Sequence, residues 1–406
     1  MVLSRLDGEV PTVGLVTGGH FLSHFYLLAF PPLFPLLRAD LGLSNAQLGL
    51  LVGVISVAMI LQVLLGEVVD LVGAKWVFVG GVATTALGVL LAGLTASYLA
   101  LLVFAAISGV GQSTFHPADY SLLEATSDED HLGRNFSVHT FGGFMGFTAA
   151  PLVVGTLGNR YGWQTALVVV GGVGVVYAAV AGLTLYPAYR ATVDDDAEES
   201  GEKASSREVF FRTEILVMAG FFALFSVAGA GIRSFTPILG IDGFQLTSVA
   251  GNTALSAFFA VTAVSVLLGG VFADRYAPRR VIFVATGAAA LTMLVTVSGV
   301  VPVDRTAFIV LLGLTGGGFG LIFASRDRLV NRYSPTESTG RTFGFVFTLS
   351  SVGALVSPVV LGAVIDTMSV LVAFGLISVF FVLSGVIVLA IGLDQQSVAK
   401  RVAADR

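Results

Sequence analysis

About twelve windows of roughly 20 apolar residues follow one another through this chain, each long enough to cross a bilayer core about 30 Å thick as a helix. They lie near 12–37, 46–68, 75–96, 98–125, 135–158, 163–186, 213–240, 248–272, 279–300, 305–331, 341–365 and 369–393. Lipid offers no partner to a free backbone N–H or C=O, so each window must satisfy its own hydrogen bonds as a helix. Composition agrees: 55% of residues are hydrophobic and 12% charged, against roughly 25% charged in soluble domains, and mean hydropathy is +0.91. The expected fold class is an all-α membrane protein. Met1 to Pro11 carries charges of both signs and no apolar core, so the first span is expected to act as its own insertion signal.

A second feature organises the spans. Gly133-Arg134-x-Phe136 and Pro151-x-x-x-Gly155 reappear as Gly340-Arg341-x-Phe343 and Pro358-x-x-x-Gly362, in one register, since 341 − 134 = 207 and 358 − 151 = 207. A repeated bundle of apolar helices is how many secondary transporters are built. The reading is therefore two pseudo-symmetric six-helix bundles, 1–188 and 213–406, joined by a polar, acidic linker at 189–212. Ser44 with Gln47 reads as a capping box opening the second span, and Leu246-Thr247-Ser248 repeats the signal before the eighth. Pro35 and Pro237 predict kinks late in spans one and seven. With the N-terminus inside, the basic residues of the short loops crowd onto one side, which places both termini and the linker in the cytoplasm of a plasma-membrane protein.

Absent chemistry narrows the function. The chain has no cysteine, which excludes disulfides, thiol nucleophiles and cysteine-ligated metals. It carries no hydrolase triad, dinucleotide fingerprint or zinc motif. Gly316-Gly317-Gly318 lacks the lysine and serine of a phosphate loop, and Asp128-Glu129-Asp130-His131 reads as a solvated helix start. No enzyme activity, metal or cofactor is expected beyond a proton gradient. The expected partners are a small-molecule substrate, protons and the lipid bilayer. No nucleic acid is expected, and the chain is read as a monomer.

After the second span comes Gly66-x-x-x-Asp70-x-x-Gly73-x-Lys75, and after the eighth a degenerate copy around Asp274 with Ala277 in place of a glycine. This pattern resembles the loop signature of the major facilitator superfamily. The resemblance implies that Asp70 latches against Gly340-Arg341 and Asp274 against Gly133-Arg134 on the cytoplasmic side. In span five, Gly146-x-x-x-Ala150-Pro151-x-x-x-Gly155 resembles the antiporter signature of proton-driven drug exporters, although plain helix packing would use the same residues. Phe115-His116-Pro117 with Asp119, Gly133-Arg134, His139 and Gly142-Gly143 is similar to the fosmidomycin-resistance branch. That likeness implies efflux of a small anionic or amphiphilic compound in exchange for protons.

The residues also speak for themselves. Four of the five histidines, His20, His24, His116 and His139, fall within spans, where polar side chains are costly enough to suggest function. His20, His116 and His139 are expected at comparable depth, and imidazole titrates near neutral pH; the plain alternative is a set of hydrogen-bonded packing residues. Asp119 is either a proton carrier or a partner for Arg134. Arg233, just before Pro237, suits an anionic group, or else snorkels to the surface. Arg326 stands at the position pseudo-equivalent to Asp119, since 326 − 119 = 207. Proton-coupled efflux by alternating access is the expected function. Proton symport or facilitated uptake of an organic anion or nutrient uses the same scaffold, and a receptor or membrane-embedded enzyme is the rival from another class.

Overall fold

The computed structural model describes residues 2–58, 68–69, 71–185, 211–334 and 339–390, and among them every regular element is helical. The first bundle contains α1 (Val2–Leu27), α2 (Phe34–Leu41), α3 (Asn45–Ala58), α4 (Ala74–Ala92), α5 (Tyr98–Gln112), α6 (Phe115–Thr126), α7 (Glu129–Tyr161) and α8 (Trp163–Thr184). The second contains α9 (Thr213–Ile238), α10 (Ser248–Arg275), α11 (Pro278–Val297), α12 (Arg305–Leu321), α13 (Phe323–Tyr333), α14 (Thr339–Thr367) and α15 (Val370–Leu389). Eleven helical stretches among the described residues are long and apolar enough to cross a membrane, and α3 stands in the place of the second span. Gly66, Asp70 and most of the expected linker lie outside the described residues.

Three spans are broken, and sequence explains where. Pro117 has no N–H to offer the carbonyl of Ser113, so span four parts into α5 and α6 at Ser113–Thr114. The side chains there take up the slack: Ser113 Oγ donates to Val110 O, and Thr114 Oγ1 to Gly111 O. Span ten breaks at the corresponding place, between α12 and α13 at Ile322. Span one breaks earlier than expected. Its first helix closes at Leu27, and a single tight turn at Pro31–Leu33 leads into α2, with Pro35 in the first turn of that helix. The reason is that Pro31 and Pro32 both lack donors, whereas Pro35 in a first turn interrupts nothing.

Within the first bundle, α4 packs against α8 and α5, and α1 against α7; within the second, α10 packs against α12 and α9 against α14. The bundles meet along two seams, α3 against α14 and α7 against α10. The seams are closest at the end that carries the α2–α3 turn. A Cβ on Gly49 would sit 2.1 Å from the carbonyl oxygen of Pro358, so only glycine lets α3 and α14 approach this far. A Cβ on Gly362 would meet Asn45 O at 2.4 Å, and one on Gly155 would meet Asn252 Nδ2 at 2.1 Å.

These last two contacts are copies of each other, because 252 − 45 = 207 and 362 − 155 = 207. Polar bonds reinforce the same end. Asp366 accepts from Asn45 N at 2.9 Å, Asn45 Nδ2 at 2.7 Å and Ala46 N at 2.9 Å, so a side chain of the second bundle caps a helix of the first. Arg38 pairs with Asp242 through two bonds of 2.5 and 2.8 Å. Asn252 Nδ2 donates to Pro32 O at 3.3 Å, and Asn159 Nδ2 to Ser248 Oγ at 3.3 Å. The helix starts follow expectation here: Ser44 and Gln47 form a reciprocal capping box, and Thr247 Oγ1 accepts from Ala250 N.

Candidate functional site

His20 and His24 stand one helical turn apart on α1 and so share a face. Opposite them, α6 presents His116 and Asp119, and α7 presents His139. The broken fourth span starts α6 at Phe115 and thereby turns His116 and Asp119 toward α1 and α7. Gly143 supplies the room: a Cβ there would lie 2.7 Å from His24 Nδ1 and 2.8 Å from His20 Cε1. Four imidazoles gather in this space. Ring centres are 4.3 Å apart for His20 and His24, 5.4 Å for His20 and His116, and 3.9 Å for His20 and His139, the last pair stacked.

The connections within the cluster are specific. His20 Nδ1 lies 2.9 Å from the carbonyl oxygen of His139. A carbonyl only accepts, so His20 carries its proton on Nδ1 and turns Nε2, with its lone pair, toward His24 Nε2 at 3.1 Å. His139 Nε2 is 3.1 Å from Asp119 Oδ2, and both side chains are wholly buried. That contact is close but not aligned as a hydrogen bond. Both oxygens of Asp119, both ring nitrogens of His139 and Nδ1 of His116 are buried without a hydrogen-bond partner. So many unsatisfied polar atoms in one place are costly in an apolar span, and Asp119 pairs with a histidine rather than with Arg134.

A rigid frame surrounds the cluster. Ser23 Oγ donates to Gln112 Oε1 at 2.7 Å while Gln112 Nε2 donates to Ser23 O at 2.8 Å, tying α1 to α5. His24 stacks on Phe147, which stacks on Phe259 of the second bundle. Arg233 reaches His24 electrostatically from α9 and has no hydrogen-bond or ion-pair partner among the described residues. The residue is half-buried. An unpartnered guanidinium within electrostatic range of His24 makes this region attractive to an anion.

Other expected residues fall elsewhere. Arg326 pairs with its neighbour Asp327 at 3.0 Å and lies over the rings of Phe222 and Phe323, so it stays in its own bundle and does not meet Asp119. Asp274 is 3.2 Å from Arg328 on α13, not against Gly133-Arg134; Arg134 is exposed. The physical reason is proximity, since Arg328 belongs to the same bundle and also bonds the carbonyl of Ala273 at 2.5 Å. Of the other latch, Gly73 stands at φ +94° ahead of α4 and Lys75 lies over Trp76, 4.9 Å from the ring centre. Arg341 sits near the start of α14. Gly146 packs on the Phe21 carbonyl of α1, Pro151 is buried within α7, and Gly155 belongs to the seam with α10. The seam residues Asn45, Asn252, Asp366, Arg38 and Asp242 were not singled out in the sequence, although the repeat register marks the first two.

Two helical bundles, seamed along four helices, with ionisable side chains buried where they face each other, define a membrane transporter. The family comparison agrees: the model of the Major Facilitator Superfamily matches residues 16–252 and 226–405, and the chain belongs to that family. Among its relatives, the fosmidomycin resistance protein of Escherichia coli (strain K12) is 23% identical over 362 residues, covering 88% of this chain and 87% of that protein. The probable nitrate/nitrite transporter NarK2 of Mycobacterium tuberculosis is 28% identical over 373 residues, covering 89% and 90%. In fold, the chain is similar to a bacterial homologue of the human lysosomal transporter Spinster in an inward-facing, occupied conformation, with TM-score 0.78, 14% identity and coverage of 94% and 96%. A mutant of the nucleoside transporter NupG matches with TM-score 0.77, 16% identity and coverage of 93% and 99%.

Proposed function

We propose that this chain exports a small anionic organic compound in exchange for protons, by alternating access of a site between the bundles. The basic residues support an orientation with the starts of α1 and α7 in the cytoplasm. Lys75, Arg134, Arg275, Arg279, Arg280, Arg332 and Arg341 lie toward that side, against Arg38, Arg160 and Arg305 at the other. The sealed end with Arg38–Asp242 and Asp366–Asn45 then faces outward. The substrate binds between spans one, four, seven and ten, where Arg233 offers a fixed positive charge.

The observation that carries the proposal is the buried Asp119–His139 contact inside the histidine cluster. A bare carboxylate in such a place is costly, so the pair takes up or releases a proton together with a compensating change nearby. In an exchange cycle the two occupy the protein in turn: the anion binds at Arg233 as the Asp119–His139 pair gives up its proton inside, and the pair is reprotonated from outside once the anion has left. One relative is named for nitrate/nitrite transport, which supports a small anion, and another for fosmidomycin resistance, which supports efflux. Uptake by symport on the same scaffold is the second reading, since Arg233 and the Asp119–His139 pair can also hold an anion and a proton together.

The test is flux in sealed liposomes carrying a pH-sensitive dye. Outward substrate movement should be matched by proton entry. Substrate flux with no accompanying proton movement would end the coupling proposal, and movement of both in one direction would favour symport.

A further inference from the structure

We infer that His20, His24 and His116 form a binding site for a divalent transition-metal ion of the cobalt, nickel, copper and zinc group. One nitrogen from each of the three rings lies within 4.8 Å of the others. The inference goes beyond the transport proposal and does not require proton coupling, because it concerns equilibrium binding.

Geometry carries it first. A tetrahedral ion with metal–nitrogen bonds of about 2.0–2.1 Å holds its ligand nitrogens about 3.3 Å apart. His20 Nε2 and His24 Nε2 already face each other at 3.1 Å. As it stands, that contact is a hydrogen bond from one ring to the other's lone pair. An ion needs only a small parting of the rings and a shift of the His24 proton from Nε2 to Nδ1, which sits over the Gly143 backbone.

Orientation comes second. Histidines that bind metals nearly always donate their other ring N–H to a carbonyl or carboxylate, which fixes the tautomer. His20 does this with the His139 carbonyl at 2.9 Å, leaving Nε2 as the free ligand atom. His116 adds a ring whose Nδ1 is buried and has no hydrogen-bond partner. Imidazole is a ligand suited to this group of metals, whereas magnesium and calcium prefer oxygen.

Charge comes third. Asp119 and His139 lie behind His20, and the carboxylate, buried with both oxygens unsatisfied, offsets part of the ion's charge. Arg233 opposes a cation from the other bundle. Three protein ligands leave the fourth position of a tetrahedral ion open, as in sites that bind a further small ligand.

The probe is cobalt(II), added to full-length protein in nanodiscs and purified without a histidine tag, with zinc(II) and magnesium(II) measured beside it. Expected are one equivalent bound, an intense visible d–d spectrum of a four-coordinate nitrogen site, displacement by zinc(II), and no response to magnesium(II). Binding should weaken at least about tenfold from pH 7.5 to 5.5, because protons compete for imidazole lone pairs. The groups that face the site and shape this dependence are His20 and His24 on α1, His116 and Asp119 on α6, His139 on α7 and Arg233 on α9. His24→Gln and His116→Gln should each lower affinity about a hundredfold, while His131→Ala leaves it unchanged. The last variant removes a separate group, Glu9, Asp128 and His131, at the cytoplasmic end. No four-coordinate spectrum in the unmodified protein, or binding lost in His131→Ala and kept in His116→Gln, would overturn the inference. A site that binds metal in a protein without proton flux would leave it standing and end only the coupling proposal.

Discussion

Replacing Asp366 by alanine should open the sealed end of the molecule. Asp366 belongs to α14 but caps α3, accepting two backbone N–H bonds at 2.9 Å and the Asn45 side-chain amide at 2.7 Å. Loss of a capping side chain costs about 0.5–2 kcal/mol. The added amide bond places the total near the upper end, about 2 kcal/mol, with no further allowance because Asp366 is exposed to solvent. The bonds exist only while the bundles touch here, whereas the Ser44–Gln47 cap of α3 is internal to the first bundle and does not depend on that contact. The loss therefore falls on the equilibrium between states, by a factor of about thirty. A starting ratio of open to closed of 1:99 would become about 1:3. The chain has no native cysteine, so Ala96→Cys and Val300→Cys place spin labels at exposed loops of the two bundles without further change. Pulsed electron resonance in nanodiscs should then show a new, longer distance in Asp366→Ala. Asp366→Asn keeps an acceptor but no charge and should fall between. An unchanged distance distribution in Asp366→Ala, with the protein folded, would refute the argument that this cap holds the bundles shut.

The other predictions rest on neighbouring contacts. Gly49→Ala puts a methyl group 2.1 Å from a backbone carbonyl that cannot turn aside; overpacking of about 1–3 kcal/mol should shift the same label distance toward the open form by at least about fivefold. Arg38→Gln removes an ion pair whose side chains are 29% and 33% exposed, so its effect on that distance should stay under about 1 kcal/mol, well below that of Asp366→Ala. Asp119→Asn and His139→Gln should each abolish substrate-driven proton movement in dye-loaded liposomes while leaving substrate exchange between equal pools measurable. Arg233→Lys keeps the charge but loses the planar fork, and should raise the half-saturating concentration of an anionic substrate about tenfold in the same liposomes, with Arg233→Gln worse.

How far the sequence could be read follows from which constraint acted on each residue. Lipid imposes length and apolarity on every span whatever its neighbours are, so the helices and the two-bundle plan were legible one window at a time. His20 and His24 were legible as a pair, because positions four apart share a helix face. The Asp119–His139 contact was not, since it depends on how far the break at Ser113–Thr114 turns α6 toward α7. The repeat register carried no contact in one place and was underused in another. Asp119 and Arg326 are equivalent positions in different bundles, and equivalence under a pseudo-two-fold brings residues together only beside the axis. Seam residues obey a different rule: each meets the equivalent of its own counterpart's partner. Asn45 touches Gly362 while Asn252 touches Gly155, and the two contacts exchange under the repeat. Once one of these contacts is known, that rule gives the other, because Asn45 and Asn252 stand at the same 207 offset as Gly155 and Gly362. It also explains why those prolines and glycines recur. Both copies must let the neighbouring bundle come close, the Asn45 backbone at Gly362 and the Asn252 side chain at Gly155, a demand of the seam that holds whether or not a proton crosses it.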